Sequence, residues 1–345
     1  MGQFRLFATM VLVGCGSSGT ADVDGAVSSD TDGASITDAA SSGDALGDDA
    51  NHPDASEMPG ALDCSCNTPE IVAPGELRAG GIAADPSHIY WTNSDQVRRM
   101  LKTGGAIETL ASNQSDPEGI AVDASHVYWA DIDGDAVRRV PKSGGTVEAL
   151  ATLQNGAHDL ALDSTHVYWV NVVGDEVKRV PKAGGTVETL ASNQNGARGI
   201  ALDETHVYWS NWSGGQVVRA PKTGGPAETL ATNQSGARGI AVDQNHVYWS
   251  RYDSGDQVRR APKSGGTVED LATSQNGAWG IALDESHVYW TNAFGNQVRR
   301  TPKVGGAIED LAVGQAGASG VLLDGTDLYW ANAVGNQVVR LACCP

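Results

Sequence analysis

A tyrosine–tryptophan pair returns seven times along this chain, with its tryptophan at Trp91, Trp129, Trp169, Trp209, Trp249, Trp290 and Trp330. The spacings are 38, 40, 40, 40, 41 and 40 residues. A fixed period near 40 marks a repeat architecture and restricts the fold more than any other feature of the sequence.

The unit from 199 to 235 shows what is repeated. Four short apolar or alternating segments, Gly199 to Asp203, His206 to Ser210, Gln216 to Ala220 and Ala227 to Thr232, are separated by Asp-Glu-Thr, Asn-Trp-Ser-Gly-Gly and Pro-Lys-Thr-Gly-Gly. These separators carry turn chemistry, so each segment reads as a strand. Helical repeats of this period need amphipathic runs of ten or more residues, and Gly and Pro interrupt every unit before that. Four strands in about 40 residues make one propeller blade. The fold class is therefore all-β: a seven-bladed β-propeller with four strands per blade.

The Tyr-Trp pair and the Gly-[Ile/Val]-Ala-[Leu/Val]-Asp segment before it resemble the YWTD repeats of lipoprotein-receptor propellers, and more loosely NHL-type repeats. The resemblance covers about residues 69–345. The tetrapeptides here are YWTN, YWAD, YWVN, YWSN, YWSR, YWTN and YWAN, so only Asp131 keeps the aspartate. YWTD propellers usually have six blades where this chain has seven repeats, which leaves the family's ligands without support here.

The last repeat stops after its third strand, Gln337 to Ala342. Counting back from Gly81 puts Glu70 to Ala73 in register with a fourth strand, Glu269 to Ala272. An N-terminal strand is thus expected to complete the seventh blade and hide the edges of an open sheet. By the same alignment Cys64 and Cys66 meet Cys343 and Cys344 at one hairpin turn, where disulfides would staple the ring. Their pairing is not deducible, and a zinc site built from the four thiolates is the alternative.

Ahead of the propeller, residues 1–14 combine a basic start with an apolar stretch, Leu6 to Val13, far shorter than a membrane span. Leu12-Val13-Gly14-Cys15 resembles the lipobox of bacterial lipoproteins, which implies acylation of Cys15 and an exported, envelope-anchored protein. The outer membrane or cell surface is the favoured address, with an ordinary signal peptide as the alternative. Residues 15–63 are rich in Ser, Gly, Asp and Ala. They read as a disordered acidic tether, because such a segment buries too little to offset the entropy of ordering.

The formal net charge is −19, and eleven acids lie in residues 16–63 with no Lys or Arg among them. The propeller, residues 64–345, still holds 31 acids against 22 bases. That balance excludes the broad basic footprint of a nucleic-acid binder. Membrane contact is expected through the lipid anchor only, and the chain is expected to be a monomer.

Several repeated residues look chemical but belong to the scaffold. His88, His126, His166, His206, His246 and His287 precede the Tyr-Trp pair on six different blades, too far apart to share a metal. Asp131-Ile132-Asp133-Gly134-Asp135 resembles half a calcium loop but lacks the distal glutamate. No cofactor is expected.

Positions that vary while their surroundings stay fixed are more informative. The residue before the first-strand glycine, or its equivalent, is Gly80, Glu118, His158, Arg198, Arg238, Trp279 and Ser319 in turn. The turns between second and third strands add Asp131, Asp133, Trp212, Arg251, Tyr252 and Phe294. In a propeller both sets lie on one face and ring the channel mouth. Mixed charge and exposed aromatics on a rigid scaffold suit recognition of a protein, peptide or glycan. The alternative is a lyase- or hydrolase-like enzyme, by analogy with streptogramin-lyase-like propellers, with Glu118 and His158 as an acid–base pair.

Overall fold

Each Tyr-Trp pair lies on a strand whose two faces are both covered, and the period-2 alternation of a strand sends the two rings in opposite directions. In the computed structural model, which describes residues 67–252 and 256–343, Tyr90 packs in one apolar cluster with Trp129 of the next repeat, and Tyr128 with Trp169. The series continues through Tyr168 with Trp209, Tyr208 with Trp249, Tyr248 with Trp290 and Tyr289 with Trp330. It closes with Tyr329 against Trp91. Seven seams, each filled by the tyrosine of one blade and the tryptophan of the next, make a closed ring.

All seven tryptophans are 0 % exposed. At about 1.5–3 kcal/mol per large apolar side chain, this aromatic series is the main cohesive element between blades.

The blades are seven four-stranded antiparallel sheets, and no helix occurs among the described residues. Six of them follow the chain directly, at 82–111, 117–152, 157–191, 197–232, 237–272 and 278–313. The seventh contains the strands Ala318–Asp324, Asp327–Asn332 and Gln337–Ala342, and its outer position is taken by Glu70–Pro74. Glu70 pairs with Arg340 and Pro74 with Gln337. The expected closure by an N-terminal strand is the closure observed.

The strands of the fourth blade are Ala197–Leu202, His206–Asn211, Gln216–Pro221 and Glu228–Thr232. The first begins two residues earlier than the repeat pattern predicts. It takes in Arg198, which the sequence reading placed in the preceding loop.

The repeated histidines sit in the turn between first and second strands. His88 Nδ1 lies 2.8 Å from Ser87 Oγ, and Asp85 Oδ1 accepts the backbone N–H of both Ser87 and His88. Asp85 Oδ2 accepts the Tyr90 hydroxyl at 2.7 Å. This is an Asx-type turn locked to the buried tyrosine, and the same contacts recur at 123–128, 163–168, 203–208 and 284–289.

Cys343 is 4 % exposed. Cys15, Cys64, Cys66 and Cys344, with the signal peptide and the acidic tether, lie outside the described residues.

Candidate functional site

The site is built at the start of each first strand. In the fourth blade Ala197 pairs with Asn211 and Ile200 with Trp209, which leaves Arg198 and Gly199 opposite Ser210 alone. Such a bulge bends the strand and re-aims its side chains. Ser210 Oγ accepts the Gly199 N–H at 3.0 Å and donates to the Arg238 carbonyl of the next blade at 2.6 Å.

The same bridge runs from Thr92 to the Glu118 carbonyl, from Ser250 to Trp279 and from Thr291 to Ser319. One hydroxyl thus fixes the bulge of its own blade and the height of its neighbour's site residue. The glycine is required by the close approach of that neighbour: a Cβ on Gly199 would overlap the Arg238 carbonyl oxygen.

Gly80, Glu118, His158, Arg198, Arg238 and Trp279, contributed by the first six blades, line one cavity on the ring axis of about 180 Å³. The large side chains come from the second to sixth blades, and the Glu118 carboxyl lies over Gly80, where a Cβ would meet Oε2 at 3.3 Å. Ser319 is buried in the seam instead, where its hydroxyl donates towards the Ala79 and Ala331 carbonyls.

Arg238 is the centre of the wall. It is 5 % exposed, and its guanidinium carbon stands 3.3 Å from the centroid of the Trp279 ring, 5.7 Å from Tyr252 and 5.8 Å from Trp212. Arg198 stacks on the other residue of this group, at 4.4 Å from Trp212. Tyr252 joins the rings together, lying 5.4 Å from Trp212, 5.0 Å edge-on from Trp279 and 4.9 Å from Phe294. Phe294 is 60 % exposed and forms the outer lip. Two guanidiniums in one aromatic cage form an amphipathic cationic wall.

Acids stand across from it. Asp159 Oδ1 accepts the Leu160 N–H at 2.8 Å and Oδ2 the Ile200 N–H of the next blade at 3.2 Å. Burial nevertheless pushes its carboxyl up to about 7, against these bonds and with help from Glu118. Glu118 is also raised by burial, which Arg238 partly opposes.

Burial, together with Arg238 and Arg198, holds His158 well below its usual range, so it is neutral at pH 7. Burial and Arg198 pull Arg238 down to about 9. The cavity therefore sets two arginines against two carboxyls whose pKa values burial raises, that of Asp159 to about 7.

Asp159 was not among the residues singled out from sequence. Six blades carry glycine at this position, and in the third blade the aspartate replaces it and pairs with Val170. The signal was the break in the glycine series. It coincides with the loss of the bridging hydroxyl, since Val170 stands where Thr92 or Ser210 stands elsewhere, and Asp159 takes over the link to the next blade.

Trp212 and Tyr252 stack beside the cavity's arginines and Phe294 packs on Tyr252, whereas two other turn residues are structural. Arg251 is 9 % exposed, and its guanidinium donates to the Ser235 carbonyl and to Gln257 Oε1. Asp131 is buried, accepts the Ser115 N–H and pairs with Arg138 at 2.9 Å. Both end a second strand, where alternation turns the side chain inwards. Among the described residues no group of three or more His, Cys, Asp or Glu is placed to hold a metal ion.

No protein-family model matches the chain, and no curated protein is similar to it in sequence. Its fold is similar to a streptogramin B lyase, with a TM-score of 0.70 at 15 % identity over 81 % of this chain and 99 % of that one. It is likewise similar to virginiamycin B lyase from Staphylococcus aureus, with a TM-score of 0.71 at 14 % identity over 80 % and 99 %. A chain of a nidogen/laminin complex aligns with a TM-score of 0.54 at 21 % identity over 64 % and 89 %. At these identities the likeness establishes the propeller fold.

Proposed function

We propose that this propeller is a non-catalytic binding module, held on the bacterial envelope by a lipid anchor at Cys15, that recognises a protein, peptide or glycan at the walled mouth of its channel. The observation that carries this reading is Arg238: a nearly buried guanidinium held by three aromatic rings, while Trp212, Tyr252 and Phe294 continue the same surface outwards. Preorganised arginine and aromatic side chains on a rigid scaffold are the residues that dominate recognition sites. Propeller neighbours of similar fold include one from a nidogen/laminin complex, which is consistent with a macromolecular partner.

The test is capture from an envelope extract, and binding to peptide and glycan arrays, by the full chain and by two variants. Arg198→Ala with Arg238→Ala is expected to abolish specific capture, and His158→Ala to leave it intact. Undiminished capture by the folded double variant would overturn the reading.

A second reading rests on Glu118, His158 and Asp159, three proton-carrying groups in one cavity, together with lyases among the similar folds. Turnover of a candidate substrate that disappears on His158→Ala or Asp159→Asn would favour that enzyme.

A further inference from the structure

Eleven arginines on this propeller are neutralised by a carboxylate of their own blade, while the buried Arg251 donates to the Ser235 carbonyl and Gln257 Oε1. Arg99, Arg139, Arg179, Arg219, Arg260 and Arg300 each meet the glutamate opposite on the fourth strand, at 2.6 to 2.8 Å. Arg98, Arg138, Arg259, Arg299 and Arg340 meet Glu76, Asp131, Asp270, Asp310 and Asp327.

Arg238 departs from this pattern. Its contacts are the faces of Trp279, Tyr252 and Trp212, and among the described residues no carboxylate lies within 4 Å of it. Stacking occupies the face of a guanidinium and leaves its five N–H groups, which lie in the plane, to find acceptors elsewhere. No Arg238 nitrogen is both sealed from solvent and unpaired among the described residues, so these donors open onto the cavity, where a ligand can supply acceptors.

We propose that the channel mouth is a subsite for one carboxylate of a ligand, accepted by Arg238 with Arg198 beside it, and that the ring or chain bearing that carboxylate lies against Trp279, Tyr252 and Trp212. This deepens the binding reading above and rests on it. Three further observations fit.

Planar bidentate geometry matches a carboxylate to a guanidinium. The cavity, at about 180 Å³, has the volume of about six water molecules and admits one residue-sized group. Glu118 and Asp159 on the facing wall carry raised pKa values. They can share a proton with one incoming carboxylate, whereas they would oppose a phosphate dianion. The carboxylate can come from a uronic acid of a glycan or from the C-terminus of a peptide, and the experiment separates the two.

The test is calorimetric titration of the full chain with four probes at millimolar concentration. Sodium glucuronate is compared with glucose, and N-acetyl-L-phenylalanine with its amide, with inorganic phosphate as an anion control. One acid is expected to bind at least tenfold more tightly than its neutral counterpart, and its identity assigns the source. Arg238→Ala is expected to weaken it at least tenfold and Arg238→Lys to recover part of that loss, with near-UV circular dichroism reporting that both variants are folded.

Equal binding of acid and neutral counterpart, or binding of neither acid, overturns the carboxylate subsite. So does preference for phosphate. If array binding is still lost in the double arginine variant, the binding reading survives that failure. If array binding is also unchanged, both fall.

Discussion

Lys142 of the second blade reaches back across the seam to Asp85 of the first, with its Nζ 2.7 Å from Oδ2. Its ammonium also stands 5.7 Å from the centre of the Tyr90 ring. Lys182 with Asp123, Lys222 with Asp163, Lys263 with Asp203 and Lys303 with Asp243 repeat the pair, and Lys102 of the first blade joins Asp324 of the seventh. The aspartate that organises each histidine turn is thus the anchor for the next blade. The pattern stops between the sixth and seventh blades, where Cys343 occupies the place of the lysine and Asp284 meets its own turn instead.

These aspartates predict acid lability. Burial works against ionisation of Asp85, but Lys142, the Ser87 and His88 N–H groups and the Tyr90 hydroxyl outweigh it and hold the carboxyl well below the usual range. Asp123, Asp163 and Asp203 are held down in the same way, and Asp243 to about 2. A carboxyl with a depressed folded pKa contributes its stability above the unfolded value, about 4, and loses it as pH falls towards the folded value. The contribution of these five aspartates is therefore expected to be constant down to about pH 4 and to be lost steeply below it. Asp163→Asn should be less stable at pH 6 and lose less on acidification. Parallel acid profiles for variant and wild type would contradict this.

The first blade carries a second electrostatic anchor. Glu76, 0 % exposed, accepts the Trp91 indole N–H at 2.8 Å, the Asn93 amide at 2.9 Å and the Arg98 guanidinium at 2.6 Å. The other six blades place glutamine here, and Gln234 and Gln275 accept from Arg259 and Arg299 in the same way. Glu76→Gln keeps the acceptor and is expected to cost about 1 kcal/mol or less. Glu76→Ala leaves three donors unanswered. It is expected to cost about 3 kcal/mol, the low end for a broken buried pair because Arg98 keeps some contact with water. Urea midpoints for the two variants give the comparison, and equal losses would show that the carboxylate itself is what the site needs.

Asp159 predicts the opposite pH dependence. Its folded pKa of about 7 lies above the unfolded value, so the fold favours its protonated form. Its effect on stability is nil below about pH 4 and becomes increasingly unfavourable as pH rises towards 7. Glu118, also raised by burial, adds to this effect, whereas His158 and Arg238, whose values burial lowers, act in the opposite direction. Asp159→Asn should melt with wild type near pH 4 and a few degrees above it at pH 8. A variant that melts lower at pH 8 would mean that the ionised carboxylate is the form the channel holds.

The ring and its closure were legible because each repeat states its own strand pattern and because Glu70 to Ala73 match a strand that the seventh repeat lacks. The channel face was legible too: Glu118, His158, Arg198, Arg238 and Trp279 vary where the scaffold does not. Two things escaped. Arg251 and Asp131 read as rim residues because they follow the Tyr-Trp pair, yet the last residue of a strand still alternates, and theirs point inwards. Asp159 escaped because it stands at the glycine position itself, one residue past the variable site, where the other six repeats have no side chain. That Arg238 forms no direct ion pair among the described residues depends on how separate blades stack their side chains, which no single repeat encodes.

The last prediction concerns the latch. Asn67 Nδ2 donates to the Ala342 carbonyl at 2.6 Å, and the Cys343 N–H to the Thr326 carbonyl at 2.7 Å, so the two ends of the propeller meet beside Cys343. Cys64 and Cys66 lie three residues and one residue before Asn67. In an exported chain the four propeller cysteines are expected to be oxidised. Alkylation of the denatured chain should label none of them before reduction and all four after it.

A bridge spanning about 280 residues removes denatured-state entropy worth on the order of 5 kcal/mol in the chain-entropy model, and strain lowers that figure in practice. It would join the third strand of the seventh blade to the N-terminal strand that completes the same blade. Cys343→Ser should therefore lower the melting temperature under oxidising conditions and leave it unchanged once reductant is present. Four reactive thiols with one bound zinc per chain would identify a metal latch instead, and four reactive thiols without zinc would leave Glu70–Pro74 to close the ring through its backbone alone.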